Sequence, residues 1–125
     1  MPKPPSDIPA TRVVMMPRDT NPQGTIFGGV ILSLIDQAAW IEALRQCNRR
    51  YVTVAMDSVE FHHPVLVGDI LSLWATTERV GRTSMRVKVE VRAMRPDAGT
   101  DISVTTAFVV FVAVDEQGRP TPIAP

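Results

Sequence analysis

From Arg82 to Met94 the chain alternates between two sets of positions, one largely apolar and one largely polar. Thr83, Met85, Val87, Val89, Val91 and Ala93 stand against Arg82, Ser84, Arg86, Lys88, Glu90 and Arg92. A period of two predicts a strand with one face on a core and the other toward water. Upstream the pattern is different. Between Gly28 and about Cys47, the residues Ile31, Leu32, Leu34, Ile35, Ala38, Ala39, Ile41, Ala43 and Leu44 are apolar on almost every side of a helix. Such a segment predicts one long helix buried on most of its faces. Gly28-Gly29 opens it, and Arg45, Arg49 and Arg50 gather near its end, where the helix dipole favours cations.

The remaining elements read as strands. Residues 11–16 form a short run that Pro17 stops, and a polar loop rich in turn formers, residues 18–24, follows. Residues 51–62 make a strand ended by Pro64, and the turn Val67-Gly-Asp69 leads into a strand over residues 70–79. Val80-Gly81 turns into the alternating strand, and a last strand runs from about Asp101 to Val114. That last strand is apolar on both faces from Ala107 onward, so it belongs in mid-sheet, with the helix on one face. In so short a chain, a second subunit is the expected cover for the other face. One buried helix with consecutive antiparallel strands is an α+β layout, a sheet of about five to six strands wrapped around the helix. The expected organisation is a flexible N-terminal tail over residues 1–10, one domain over 11–117 and a proline-rich tail over 118–125.

Composition narrows the function classes. Thirteen basic residues balance thirteen acidic ones, so the surplus positive charge that a general nucleic-acid or membrane binder needs is absent. The first residues hold no apolar run suited to a signal peptide, and no stretch approaches the roughly 18 apolar residues that span a bilayer. A single cysteine, Cys47, forms no intramolecular disulfide. A reduced cytoplasmic protein is expected.

Asp36 carries the strongest chemical signal. It lies about two turns inside a helix that is apolar from Val30 to Ala39 apart from Ser33 and Gln37. Carboxylates are rarely buried without partners, so Asp36 is either a general base or an acid tied to backbone amides or an arginine. Gly28-Gly29 at the helix start leaves free N–H groups at the positive end of the dipole, which suit an oxyanion; a tight turn with close packing is the plainer alternative. Asn21 and Thr53 are supporting polar candidates, each equally at home as a turn or strand residue. His62 and His63 are adjacent in a strand, point to opposite faces and cannot chelate one ion. Cys47 reads as a packing residue. Arg82, Arg86, Lys88 and Arg92, with Arg79 close by, form either a solvated face or a phosphate site, and Val80-Gly-Arg-Thr-Ser84 adds a glycine, a guanidinium and two hydroxyls that would suit phosphate groups.

The stretch Met16-Pro-Arg-Asp-Thr-Asn-Pro-Gln-Gly-Thr-Ile-Phe-Gly-Gly-Val-Ile-Leu-Ser-Leu-Ile-Asp36 resembles the signature of hotdog-fold acyl-CoA thioesterases of the brain-type acyl-CoA hydrolase family. Thr53-Val-Ala-Met-Asp-Ser-Val-Glu-Phe-His-His-Pro64, Val67-Gly-Asp69, Val80-Gly-Arg-Thr-Ser84 and Phe111-Val-Ala-Val-Asp-Glu-Gln-Gly118 resemble the same family, in order, over nearly all of residues 11–120. The resemblance implies a hotdog fold whose subunits join sheets edge to edge, with active sites at the dimer interface and dimers often assembled as trimers. It implies Asp36 as the catalytic carboxylate, Asn21 acting from the opposite subunit, Thr53 positioning water and the Gly29 amide polarising the carbonyl. Phe27, Gly28, Val54, Gly81, Arg82, Thr83 and Ser84 are the implied substrate contacts, acyl-CoA is the substrate, and no metal or redox cofactor is called for. Two departures stand out. Gln37 sits where some members have a second acid, and the chain stops soon after the last strand, which would leave self-association as the way to build a paired site.

Acyl-CoA hydrolysis is therefore the leading expectation. A hotdog hydratase or dehydratase would want a histidine and an acid near the helix, whereas both histidines lie before Pro64. A non-catalytic acyl-CoA sensor would leave Asp36 and Asn21 without a purpose.

Overall fold

The computed structural model describes residue 3 and residues 5–124. Strand β1 (Thr11–Val14) leads through a short 3-10 turn to helix α1 (Gly28–Gln46), and β2 (Arg50–Phe61), β3 (Ile70–Val80), β4 (Ser84–Arg95) and β5 (Thr100–Val114) complete one sheet. The order is β1-β3-β4-β5-β2, and every pairing is antiparallel. The elements fall where the apolar pattern puts them, and a long helix with a five-stranded sheet is the expected hotdog layout.

The alternation in β4 sorts as it should. Met85, Val87, Val89, Val91 and Ala93 are buried toward the helix, with Leu71, Leu73 and Ala75 of β3 beside them. Strand β5 sits inside the sheet between β4 and β2, burying Ala107, Val109, Phe111 and Ala113. Its outer face is half-covered within the chain itself: the Arg86 guanidinium lies 4.4 Å over the Phe108 ring. The helix packs mainly on β3 and β4 through Ile31, Ile35, Ala38, Ala39 and Ala43, whose small alanines bring backbone and sheet close. It is not buried on most faces. Trp40 and Ile41 remain 45% and 40% exposed, because one sheet covers only one side of a helix.

The closing segment, expected as a tail, folds back on the sheet. A turn held by the Asp115 carboxylate reverses the chain, Thr121 N–H donates to the Ala113 carbonyl at 2.8 Å, and Ile123 is buried in the core. Proline density speaks for extended, unpaired backbone there, but Pro120 bridges to Val114 and an apolar Ile123 within reach of the core docks the segment.

One side chain sits uneasily. Thr105 of β5 is fully buried, and its hydroxyl finds no partner among the described residues. A buried hydroxyl without a hydrogen bond costs on the order of 1–3 kcal/mol. Thr105→Val keeps the branched shape and removes the orphan, so it is expected to raise stability by about 1 kcal/mol, roughly 4 °C in Tm. Thermal denaturation of the two proteins checks this, and a lower Tm would mean the hydroxyl is satisfied.

Candidate active site

Because α1 sits over β3 and β4, it leaves the helix-facing side of β2 largely uncovered. This open shelf between helix and edge strand holds the candidate chemistry. Asp36 projects onto it from the third turn of α1, half-buried rather than sealed in the core. Thr53 on β2 donates its hydroxyl to Asp36 Oδ1 at 2.7 Å. Directly after Thr53 the register of β2 against β5 slips, Thr53 facing Phe111 and Ala55 facing Val110, so Val54 is the extra residue of a bulge. Bulges re-aim the side chains beside them. A second slip between Asp57 and Glu60 takes Ser58 into the left-handed region at φ 51°. The sequence pattern carries no sign of either bulge.

Two turns before Asp36, α1 begins with exposed glycines. Val30 N–H turns back to the Phe27 carbonyl at 3.1 Å, and Phe27 N–H bonds the Asp19 carbonyl at 2.9 Å. The amides of Gly28 and Gly29 make no such backbone bond among the described residues. A Cβ on Gly29 would meet open space, and one on Gly28 would stand 3.7 Å from the ring tip of Phe61. No acidic residue occupies the first turn, so the positive end of the dipole is uncompensated there.

The structure joins Asp36 to Thr53 but brings neither Asn21 nor the 81–84 turn to it by any hydrogen bond among the described residues. Asn21 braces its own loop. Its Oδ1 accepts from the Gln23 and Thr25 amides at 3.0 and 3.1 Å, and its Nδ2 donates to Thr25 Oγ1 at 2.8 Å. An amide nitrogen has two hydrogens, so one is left over. In the β3–β4 turn, Gly81 N–H donates to the Ser84 carbonyl at 2.7 Å, and a Cβ there would come within 3.0 Å of Ser84 Oγ. Only a glycine takes that turn without pushing Ser84 aside. Arg82, Thr83 and Ser84 follow, with Arg82 exposed.

The basic row on β4 divides. Arg86 makes a fork with the Asp57 carboxylate at 3.0 and 3.1 Å and reaches Glu78 at 3.4 Å, while Arg92 pairs with Glu90 and Asp101, both at 3.1 Å. Guanidinium groups already matched by carboxylates are poor phosphate ligands. Arg82 and Lys88 are exposed, and no ion pair engages them among the described residues. His63 Nδ1 lies 3.0 Å from the Ser103 carbonyl, His62 stands 3.9 Å from Glu60, and Cys47 Sγ donates to the Ile123 carbonyl at 3.3 Å. Among the described residues no group of three or more His, Cys, Asp or Glu gathers to hold a metal, and no helix is long and apolar enough to cross a membrane.

Sequence reasoning passed over two acids that are buried more deeply than Asp36. Glu42, 3% exposed, accepts from Arg45 at 2.7 Å, Gln46 at 2.8 Å and Thr77 at 2.8 Å. Burial alone would push its pKa up; the hydrogen bonds from Arg45, Gln46 and Thr77 and the Arg45 charge outweigh this and hold it below the ordinary value. A depressed carboxylate stabilises the fold above its ordinary range and loses that contribution as pH falls through it. The spacing of Glu42 with Arg45 and Gln46 was readable as helical pairing, but Thr77 was not. Asp69 closes the turn before β3, accepting from Leu66 N–H at 2.9 Å and Arg95 at 3.1 Å. Both acids are fully engaged structurally, which leaves Asp36 as the acid on the open shelf.

Comparison with known proteins identifies the family and the fold. The model of the thioesterase superfamily matches residues 23–98. An uncharacterised acyl-CoA thioester hydrolase of Zymomonas mobilis is 47% identical over 122 residues, 97% of this chain and 81% of that protein. The acyl-CoA thioester hydrolase YciA of Salmonella typhimurium is 36% identical over 115 residues, 90% of this chain and 86% of its own. Among solved structures, a hexameric hotdog-fold thioesterase of Campylobacter jejuni superimposes with a TM-score of 0.88 at 47% identity, covering 94% of this chain and 90% of that one.

Proposed function

Since the chain belongs to the thioesterase superfamily, among its acyl-CoA thioester hydrolases, we propose that it hydrolyses acyl-CoA to a free carboxylic acid and coenzyme A, with Asp36 at the centre of the chemistry. The observation that carries this is the Asp36 carboxylate held by Thr53 on an open shelf, on a helix whose first amides are free.

Asp36 activates a water or itself attacks the thioester carbon. In the first route its carboxylate takes a proton, hydroxide adds to the carbonyl, the C–S bond breaks, and the leaving thiolate receives the proton. In the second, the carboxylate attacks the carbonyl, the C–S bond breaks to expel coenzyme A as thiolate, and water cleaves the resulting anhydride to the free acid and Asp36, its proton going to the thiolate. Thr53 orients the carboxylate or the water. The Gly29 N–H, with Gly28 beside it, holds the oxyanion.

One chain supports only half of this site. Gly29 and Asp36 are seven residues apart, a rise of about 10.5 Å along the helix, and helix N–H groups point toward the N-terminus, away from Asp36. A single thioester group does not bridge that gap. Two copies with antiparallel helices would set the amides of one beside the Asp36 of the other, and would let the leftover Asn21 N–H reach the partner's site. β2 supports such pairing: it is a 12-residue edge strand with Val52 and Val54 exposed at 44% and 55%. An edge so long and apolar invites another strand. The hexameric assembly of the Campylobacter relative favours a homo-oligomer here too, a dimer with shared sites or a trimer of such dimers.

Phe27 and Val54 flank the reacting group, and Gly81, Arg82, Thr83 and Ser84 meet the phosphates of coenzyme A. No metal or redox cofactor takes part, coenzyme A entering as part of the substrate. Nucleic acid and membrane insertion play no part, and the enzyme works in the cytoplasm. Release of free thiol from acyl-CoA esters by the purified chain is the test. Turnover of about 1–10³ per second is the ordinary enzyme range; tight acyl-CoA binding without thiol release would point to a sensor instead.

A further inference from the structure

We infer that the cleft beside the helix start is the pocket for the acyl chain and that Phe61 sets the chain length it accepts, an inference that rests on the hydrolase function proposed above. A cavity of about 230 Å³ opens next to Gly28, walled by Ile26, Ile31, Phe61, Pro64 and Val65 with His63 at the side. Ile26, Ile31 and Val65 are buried and form its floor, whereas Phe61 is 49% exposed and forms the wall that can give. The position links it to the chemistry. Gly28 is both a wall of the cavity and one of the two free amides of the first turn.

A carbonyl held on those amides has two arms. The sulfur arm leads to coenzyme A, whose amides and phosphates need polar partners, and an unpaired polar group in an apolar pocket is costly. The side chains of Ile26, Ile31, Phe61, Pro64 and Val65 offer no such partners; His63 is the one polar side chain of the lining, its Nδ1 held 3.0 Å from the Ser103 carbonyl. The alkyl arm leaves the carbonyl carbon by one bond and fits this lining. A larger cleft of about 470 Å³ lies on the outer face of the sheet, where Arg12, Ser72, Trp74, Arg92 and Asp101 line it, and the sheet separates it from the helix amides. At about 230 Å³ the inner cleft is smaller than usual ligand sites of roughly 300–1,000 Å³. It suits short to medium chains.

The test is kcat/KM for thiol release from acetyl-, butyryl-, hexanoyl- and octanoyl-CoA in the native protein, Phe61→Ala and Phe61→Trp. Each methylene that enters the cleft is expected to raise kcat/KM by up to roughly fourfold until the floor is reached. Phe61→Ala removes the exposed wall, so that a longer chain can run on past it, and should raise the octanoyl-to-butyryl ratio by roughly tenfold or more; Phe61→Trp should lower it. Acetyl-CoA, which barely enters, serves as the internal reference for correctly folded enzyme. A ratio unchanged in both variants while thiol is still released overturns the pocket assignment and leaves the hydrolase intact. No thiol from any ester with the native protein overturns the hydrolase function, and the pocket with it.

Discussion

Asp36→Ala is expected to lower kcat for acyl-CoA hydrolysis by roughly 10³-fold or more, about 4 kcal/mol of transition-state stabilisation, while coenzyme A still binds. The expectation rests on separation of roles. Asp36 touches Thr53 and otherwise faces the shelf, whereas the turn proposed for the phosphates is held by its own backbone bonds and by Ile123 N–H on the Arg82 carbonyl. Truncating a half-buried carboxylate whose one side-chain bond is to the exposed Thr53 hydroxyl should cost the fold little, so thermal unfolding is expected to shift by only a few degrees. Glu42 offers the contrast: it bonds three side chains and joins α1 to β3 through Thr77, so its loss would register as stability rather than turnover. Stopped-time thiol release with calorimetric titration of coenzyme A separates the two quantities. Turnover within about tenfold of native would leave too little barrier for an essential base or nucleophile, and Asp36 would lose its role.

A charged edge should be nearly as damaging for a different reason. In Val52→Lys, an exposed apolar side chain on the free edge of β2 becomes a cation close to its own copy across a paired sheet, while Val54, which flanks the reacting group, is left as it is. Natural proteins keep edges apart with such lysines. The pairing of β2 with β5 runs along the other edge and should persist, so far-UV circular dichroism should be unchanged. Sedimentation should then show the assembly falling toward single chains. Activity should fall by roughly 10²–10³, the cost of removing oxyanion donors, because the amides of one copy no longer reach the Asp36 of the other. A variant that becomes monomeric yet keeps native turnover would show that one chain carries a whole site.

Particular residues show how far sequence alone reaches. The strict alternation of β4, the apolar filling of α1 and the doubly apolar β5 are local repeats, and local repeats determine element type, element order and which face is buried. The run from Met16 to Asp36 also carries the family resemblance by itself, because its glycines, proline-bounded loop and lone helical acid stand in a fixed local order. Asp36 and Thr53 were candidates from sequence, but their 2.7 Å bond joins residues 17 apart and depends on where the helix crosses the sheet. The same holds for what went astray. Asp36 looked sunk in apolar neighbours, yet it is half-buried, because α1 lies off-centre and leaves β2 open. Arg86 and Arg92 looked available to phosphates, yet cross-strand acids claim them.

What the sequence by itself determined is therefore the fold class, the family and a short set of chemically able residues, since each follows from spacing along the chain. Only the tertiary structure decided which acids are structural and which is open, where β2 bulges, how the last segment docks and where a chain-sized cleft meets the helix start. Those depend on contacts between residues far apart in sequence, and burial and hydrogen-bond pairing are properties of the packed whole that no single stretch of residues carries.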